Sequence, residues 1–206
     1  VRVALVPTAS YTQNAYFDLA PVSVADQPVY AYPWREIDLP QRFGPDARWE
    51  LGAGQSEVRV SGRGVSAGVS TRSLWWGPGI QNAIIMSNNA AGFPHVFLGT
   101  QGPRRIGIGT IEANWTLGKL DQSDYFGLPV ETDARFHAGL VVTFNPDLLP
   151  GLSLGFTRVF YGASPNGLEA SNAFLVFQGV TKKGQEDSDS PTGDDDKDQL
   201  LSVFGR

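Results

Sequence analysis

The sequence predicts an all-β chain whose antiparallel strands run in up-and-down order as part of the wall of a transmembrane β-barrel. Three observations point there. Apolar and polar residues alternate with period two over most segments free of turn residues. The connections between those segments alternate between long and short. No apolar run approaches the ~20 residues of a membrane helix; Ala173-Phe174-Leu175-Val176-Phe177 is among the longest.

Strands are expected near 1–7, 56–62, 65–73, 95–99, 105–117, 134–144, 152–161 and 199–206. Alternation is clearest where Ile111, Ala113, Trp115 and Leu117 oppose Glu112, Asn114 and Thr116. It recurs where Phe136, Ala138, Leu140, Val142 and Phe144 oppose Arg135, His137, Gly139 and Thr143, and where Leu152, Leu154 and Phe156 oppose Ser153, Gly155 and Thr157. Such a pattern marks half-buried strands. Two environments fit it: a soluble sandwich with a dry core, or a barrel with lipid outside and a wet lumen.

The connection lengths help to decide between them. The long segments 8–55, 74–94, 118–133 and 162–198 alternate with tight turns at Gly62-Arg63-Gly64, at Gln101-Gly102-Pro103 and from Asn145 to Gly151. In an up-and-down barrel alternate connections lie on opposite rims, and outer-membrane barrels have short periplasmic turns and long outer loops. Structureless connections of this length are uncommon in an ordinary compact domain. The expectation is therefore an antiparallel up-and-down outer-membrane β-barrel, with residues 1–206 as one part of a single barrel domain.

Composition narrows the function classes. The absence of cysteine excludes disulfide scaffolds, thiolate zinc sites and cysteine nucleophiles within this sequence. The formal charge is −5. Most of it sits between Lys182 and Asp198, where seven acidic residues face three lysines for a net −4. That stretch is expected to be a solvated loop. No basic stripe suggests nucleic acid. The chain opens inside an alternating segment, Val1 to Val6, and Arg206 follows another, so an internal piece of a longer protein is expected.

The stretch Trp75-Trp76-Gly77-Pro78-Gly79-Ile80-Gln81-Asn82-Ala83-Ile84-Ile85-Met86-Ser87-Asn88-Asn89-Ala90 is the richest in chemistry. Gly77, Pro78 and Gly79 force a sharp bend. Aromatic faces stack on sugar rings, and amide side chains donate to and accept from hydroxyls. The segment thus has the chemistry of a carbohydrate contact. It equally suits a packed turn whose tryptophans fill a core.

The run from Trp75 to His95, WWGPGIQNAIIMSNNAAGFPH, resembles the signature of the Wzi-type capsule-assembly outer-membrane proteins, in which a Trp-Gly-Pro-Gly turn precedes an apolar patch, Ser-Asn-Asn-Ala and a proline. The flanks Gly54-Gln55-Ser56 and Gln199 to Arg206 look similar to the same family. The resemblance implies an outer-membrane barrel in a Gram-negative bacterium that binds capsular polysaccharide and helps retain it at the cell surface. It implies no enzyme and no cofactor. Polysaccharide and outer-membrane lipid are the expected partners, and a monomer is expected. Trp75 and Trp76 would stack on or wall the site, Gln81, Asn82, Ser87, Asn88 and Asn89 would supply hydrogen bonds, Gly77, Pro78 and Gly79 would shape the turn, and His95 would be a hydrogen-bonding member of the motif. The same residues would serve equally as a structural latch of the barrel.

Other constellations are weaker. Tyr30-Ala31-Tyr32-Pro33-Trp34 suits an interface belt or a sugar platform. Arg35, Arg42 and Arg48 fit an acidic polymer or pairing with Glu36, Asp38 and Asp46. Arg104 and Arg105 suit a barrel edge. Glu112, Arg135 and His137 suit a hydrogen-bonded lumen lining, and no second histidine stands at ligand spacing from His137. Asp187 and Asp189 lack the glycine and glutamate of a calcium loop. Asp121 and Asp124 have no identifiable acid–base partner, and the sequence holds no G-x-S-x-G, HExxH or phosphate loop, so no catalytic residue is assigned. The rival readings are a porin-like solute channel and a soluble secreted β-sandwich lectin or glycosidase.

Overall fold

The computed structural model describes residues 1–18, 44–81, 83–121, 134–164, 167–178 and 197–206. Asn82, the 30–36 aromatic segment, Arg42, Asp124 and most of the acidic stretch lie outside them. The chain is all-β and antiparallel. Its strands are β1 (Arg2–Ala4), β2 (Thr8–Thr12), β3 (Arg48–Gly52), β4 (Glu57–Gly62), β5 (Val65–Ser70), β6 (His95–Thr100), β7 (Arg104–Arg105), β8 (Gly109–Asp121), β9 (Ala134–Pro146), β10 (Leu154–Ala163) and β11 (Lys197–Gly205). One 3₁₀ segment, Ala170–Phe177, lies between β10 and β11.

The main sheet runs β1-β4-β5-β6-β8-β9-β10-β11, with β7 also on β8. From β4 onward the pairings are antiparallel and follow chain order, as the connection lengths predicted. The sheet is open, with β1 and β11 at its edges. The β4–β5 reversal is a two-residue loop in which Arg63 and Gly64 both take positive φ, 50° and 82°. This is the primed geometry that matches strand twist, and it explains a glycine in the second position.

Two expectations need correction. Gln101-Gly102-Pro103 does not reverse the chain. β6 and β7 both pair antiparallel with β8, so these residues only interrupt one strand line, as a proline without an N–H does. The reversal comes at Ile106–Gly109, where Gly107 has φ 87° and the Ile106 N–H donates to the Gly109 carbonyl at 3.0 Å. Secondly, the long connections are not bare loops. β2 and β3 pair as a separate ribbon inside 8–55, and the 3₁₀ segment lies inside 162–198.

The register fixes the two faces. Val60, Ala67, Leu98, Trp115, Leu140, Arg158 and Leu201 form one cross-strand row, so they share a face. Ile111, Ala113, Phe136 and Leu154 lie on that face too, as the alternation predicted. The opposite face carries the row Glu57, Ser70, His95, Gly118, His137, Tyr161 and Asp198.

The apolar face is covered only in part. Over β8 to β10 the 3₁₀ segment lays Ala173, Leu175 and Val176 on Leu117, Phe136, Ala138 and Phe160, flanked by Trp115 and Leu140. The Trp115 Nε1–H donates to the Ala173 carbonyl at 2.8 Å. Arg158, the one charge in the apolar row, is buried beneath this segment and donates to the carbonyls of Val176 (3.2 Å) and Gln178 and to Gln199 Oε1 (3.0 Å). Elsewhere Val3, Val58, Val60, Val65, Val69, Val96 and Leu98 are exposed side by side on β1, β4, β5 and β6. Among the described residues no second sheet stacks on this face.

Candidate functional site

The segment 71–94 leaves β5, runs over the polar face and returns to β6. Its shape is set locally. Trp76 and Met86 form a backbone bridge, with the Trp76 N–H donating to the Met86 carbonyl at 3.1 Å. Within that loop the Trp75 indole N–H donates to the Gly79 carbonyl at 2.9 Å, which clasps the Gly-Pro-Gly bend. Gly77 has φ 128°, a conformation other residues rarely hold.

Two strand glycines seat the segment. A Cβ on Gly139 would stand 2.5 Å from the Trp76 ring, and one on Gly118 would stand 2.5 Å from the Phe93 ring. The aromatic side chains therefore lie directly on the backbone of β9 and β8. His137 completes this contact. It is fully buried, its Nε2 is 3.1 Å from Thr116 Oγ1, and its ring meets Phe93 edge-on at 5.0 Å and Tyr161 at 5.3 Å. His95, also buried, donates from Nδ1 to the Phe93 carbonyl at 2.8 Å. Toward β4, buried Glu57 pairs with Arg59 at 2.9 Å and Arg72 at 3.7 Å, and the Arg59 guanidinium lies over Phe97. These interactions link the first residues of the segment to the sheet.

The predicted motif residues fall into two groups. Trp75 and Pro78 border a cleft of about 390 Å³ whose floor includes Glu112, Asn114 and Thr143. Ser87 and Asn89 border a separate hollow of about 280 Å³ with Met86 and Tyr161. Asn88 and Gln81 are exposed. Trp75 is 36% exposed and Trp76 only 6%, so Trp75 is the more open of the pair while Trp76 is packed on the sheet and walls the same cleft. Asn82 is outside the described residues. Among the described residues no three His, Cys, Asp or Glu side chains gather as metal ligands.

Sequence reasoning missed the partners on the strands. Asn114, Thr143, Thr157 and Tyr161 meet the motif only through the fold. The available signal was Gly118 and Gly139, glycines within otherwise regular strands, which mark close approach of another group.

No curated protein and no solved structure matches the chain. The family model described as Capsule assembly protein Wzi matches residues 11–203, nearly the whole chain, including the signature motif and every strand from β3 to β10. The chain thus belongs to the capsule assembly protein Wzi family.

Proposed function

We propose that this chain forms part of the wall of a Gram-negative outer-membrane β-barrel, with capsular polysaccharide held against the motif on its polar face and at the long-connection rim. The reading involves binding alone: no bond is made or broken, and no cofactor takes part. The carrying observation is an inversion of burial. On β4 to β6 the polar face is buried, with Glu57, Ser66, Ser70 and His95 each at most 6% exposed, while Val58, Val60, Val65, Val69, Val96 and Leu98 on the other face are each at least 39% exposed. Soluble monomers rarely expose apolar patches beyond about 300–600 Å². A barrel wall does so by design, since its outer face is solvated by hydrocarbon. That accounts for lipid as a partner.

The polar face supports the polysaccharide part. Hydroxyls and amides there border open hollows beside a half-exposed indole. A wide solute channel fits less well, because the segment 71–94 occupies this face. The test is fractionation of the full-length protein: it should sediment with outer membranes and migrate faster unheated than boiled on gels. Recovery as a soluble periplasmic protein would refute the barrel. In the same cells Asn88→Ala, at an exposed position, should reduce capsule retention with the barrel intact. Unchanged retention removes Asn88 from the contact.

A further inference from the structure

We infer that the cleft beside Trp75 is a subsite for a neutral sugar, about one or two rings long, in the lumen of the wall rather than on the outer loops. The inference rests on the polysaccharide-binding reading and specifies which part of the polymer is read and where. The cleft's volume, about 390 Å³, falls within the roughly 300–1,000 Å³ of small-molecule pockets.

Its position follows from register. Glu112 and Thr143 are direct cross-strand partners, and Asn114 is two residues along β8, so their side chains project from the polar face as one cluster. Ser153 and Arg206, at the short-turn ends of β10 and β11, close the far side. From the long-connection end of β10, at Gly162, to Ser153 is about 30 Å at roughly 3.3 Å per residue. The Trp75–Pro78 bend therefore reaches far down the wall.

The chemistry selects the ligand class. The Trp75 N–H is already engaged by the Gly79 carbonyl, so the ring has only its apolar face to offer. A face of sugar C–H groups suits it. Asn114 lines the cleft, and an amide side chain donates to and accepts from hydroxyls. The Glu112 carboxylate accepts two hydroxyls, and the Thr143 hydroxyl both donates and accepts. One carboxylate, Glu112, and one guanidinium, Arg206, balance the charge of the lining, so an uncharged ring fits better than a uronic acid.

The experiment titrates detergent-solubilised full-length protein with glucose, N-acetylglucosamine and glucuronic acid, and in parallel with purified capsular polysaccharide. Binding is read by calorimetry and by tryptophan fluorescence. The neutral sugars should bind several-fold more tightly than glucuronic acid. Glu112→Gln should weaken them about tenfold, as expected for loss of charge-assisted hydrogen bonds. Trp75→Phe should keep calorimetric binding within a few fold while abolishing the fluorescence response. Glu112 is exposed, so its variant should fold, and heat-modifiable migration checks this. Preference for glucuronic acid, or neutral-sugar binding unaffected by Glu112→Gln, overturns the assignment. If the polymer binds while the cleft variants behave like the parent, the subsite is wrong and the polysaccharide reading stands. If the parent binds no polymer, both fall.

Discussion

Gly139→Ala should detach the signature segment from the sheet while leaving the strands paired. The new Cβ would lie 2.5 Å from Cη2 and 2.8 Å from Cζ3 of Trp76, and 2.8 Å from Nε2 of His137. Carbon atoms rest about 3.5–4.0 Å apart, so the indole must retreat by about 1 Å. Its backbone is held by the bond to Met86, so the buried ring must swing away from the sheet and give up its contacts with β9. Overpacking of this kind costs about 1–3 kcal/mol. Gly62→Ala is the matched control, because no atom lies within 4 Å of its added methyl. Trp76→Phe removes the distal ring atoms that clash, so in combination with Gly139→Ala it should recover about 0.5–3 kcal/mol relative to the sum of the singles. Urea unfolding of the full-length protein refolded into lipid vesicles measures each variant. The reasoning is refuted if Gly139→Ala is as stable as Gly62→Ala, or if the double variant is no better than additive.

Arg158→Leu should leave the sheet paired but release the 3₁₀ segment, seen as new proteolysis between 167 and 178. Arg158→Lys should not restore protection, because one ammonium cannot reproduce the guanidinium fork that spans the carbonyls of Val176 and Gln178 and the amide of Gln199. Trp115→Phe removes the indole bond to the Ala173 carbonyl and should cost about 0.5–1.5 kcal/mol in the same unfolding assay. No loss would mean that the aromatic contacts with Phe174 and Phe177 alone hold that side chain.

Strand existence, order and facing were legible because period two survives local noise: Trp115, Leu140 and Leu154 occupy the apolar face that their spacing required. The long–short parity was legible for the same reason, since it depends on counting reversals and not on their limits. The misplaced reversal at Gln101-Gly102-Pro103 shows where this ends. A Gly-Pro pair signals a break in the ladder, and whether the chain turns there depends on the hydrogen bonds around it: the turn is closed by the Ile106 N–H to the Gly109 carbonyl, while the strands on either side of Gln101-Gly102-Pro103 both stay paired with β8. The 3₁₀ segment was opaque because Ala173 to Phe177 is apolar without any period, and only tertiary contact with Trp115 and Arg158 gives it a place. For the site, the motif was visible as a string of residues, yet its division into a Trp75 cleft and a Ser87–Asn89 hollow was not, since that depends on which strand residues lie beneath.

The two coverings of the sheet explain residues that a bare barrel wall would not favour. Gly118 and Gly139 weaken the strands that hold them, and an arginine in an apolar row carries a desolvation cost unless its guanidinium is hydrogen-bonded. Each exception stands where a long connection folds back on the wall. The segment 71–94 sets Phe93 and Trp76 on the two glycines, and the segment 167–178 brings carbonyls to Arg158. Neither connection is free of the sheet, and neither set of strand residues makes sense without its connection. On the polar side the signature motif is packed on the sheet through Trp76 and Phe93; on the proposed reading a ligand in the cleft lined by Trp75, Glu112, Asn114 and Thr143 would meet a largely formed site, which lowers the ordering cost of binding.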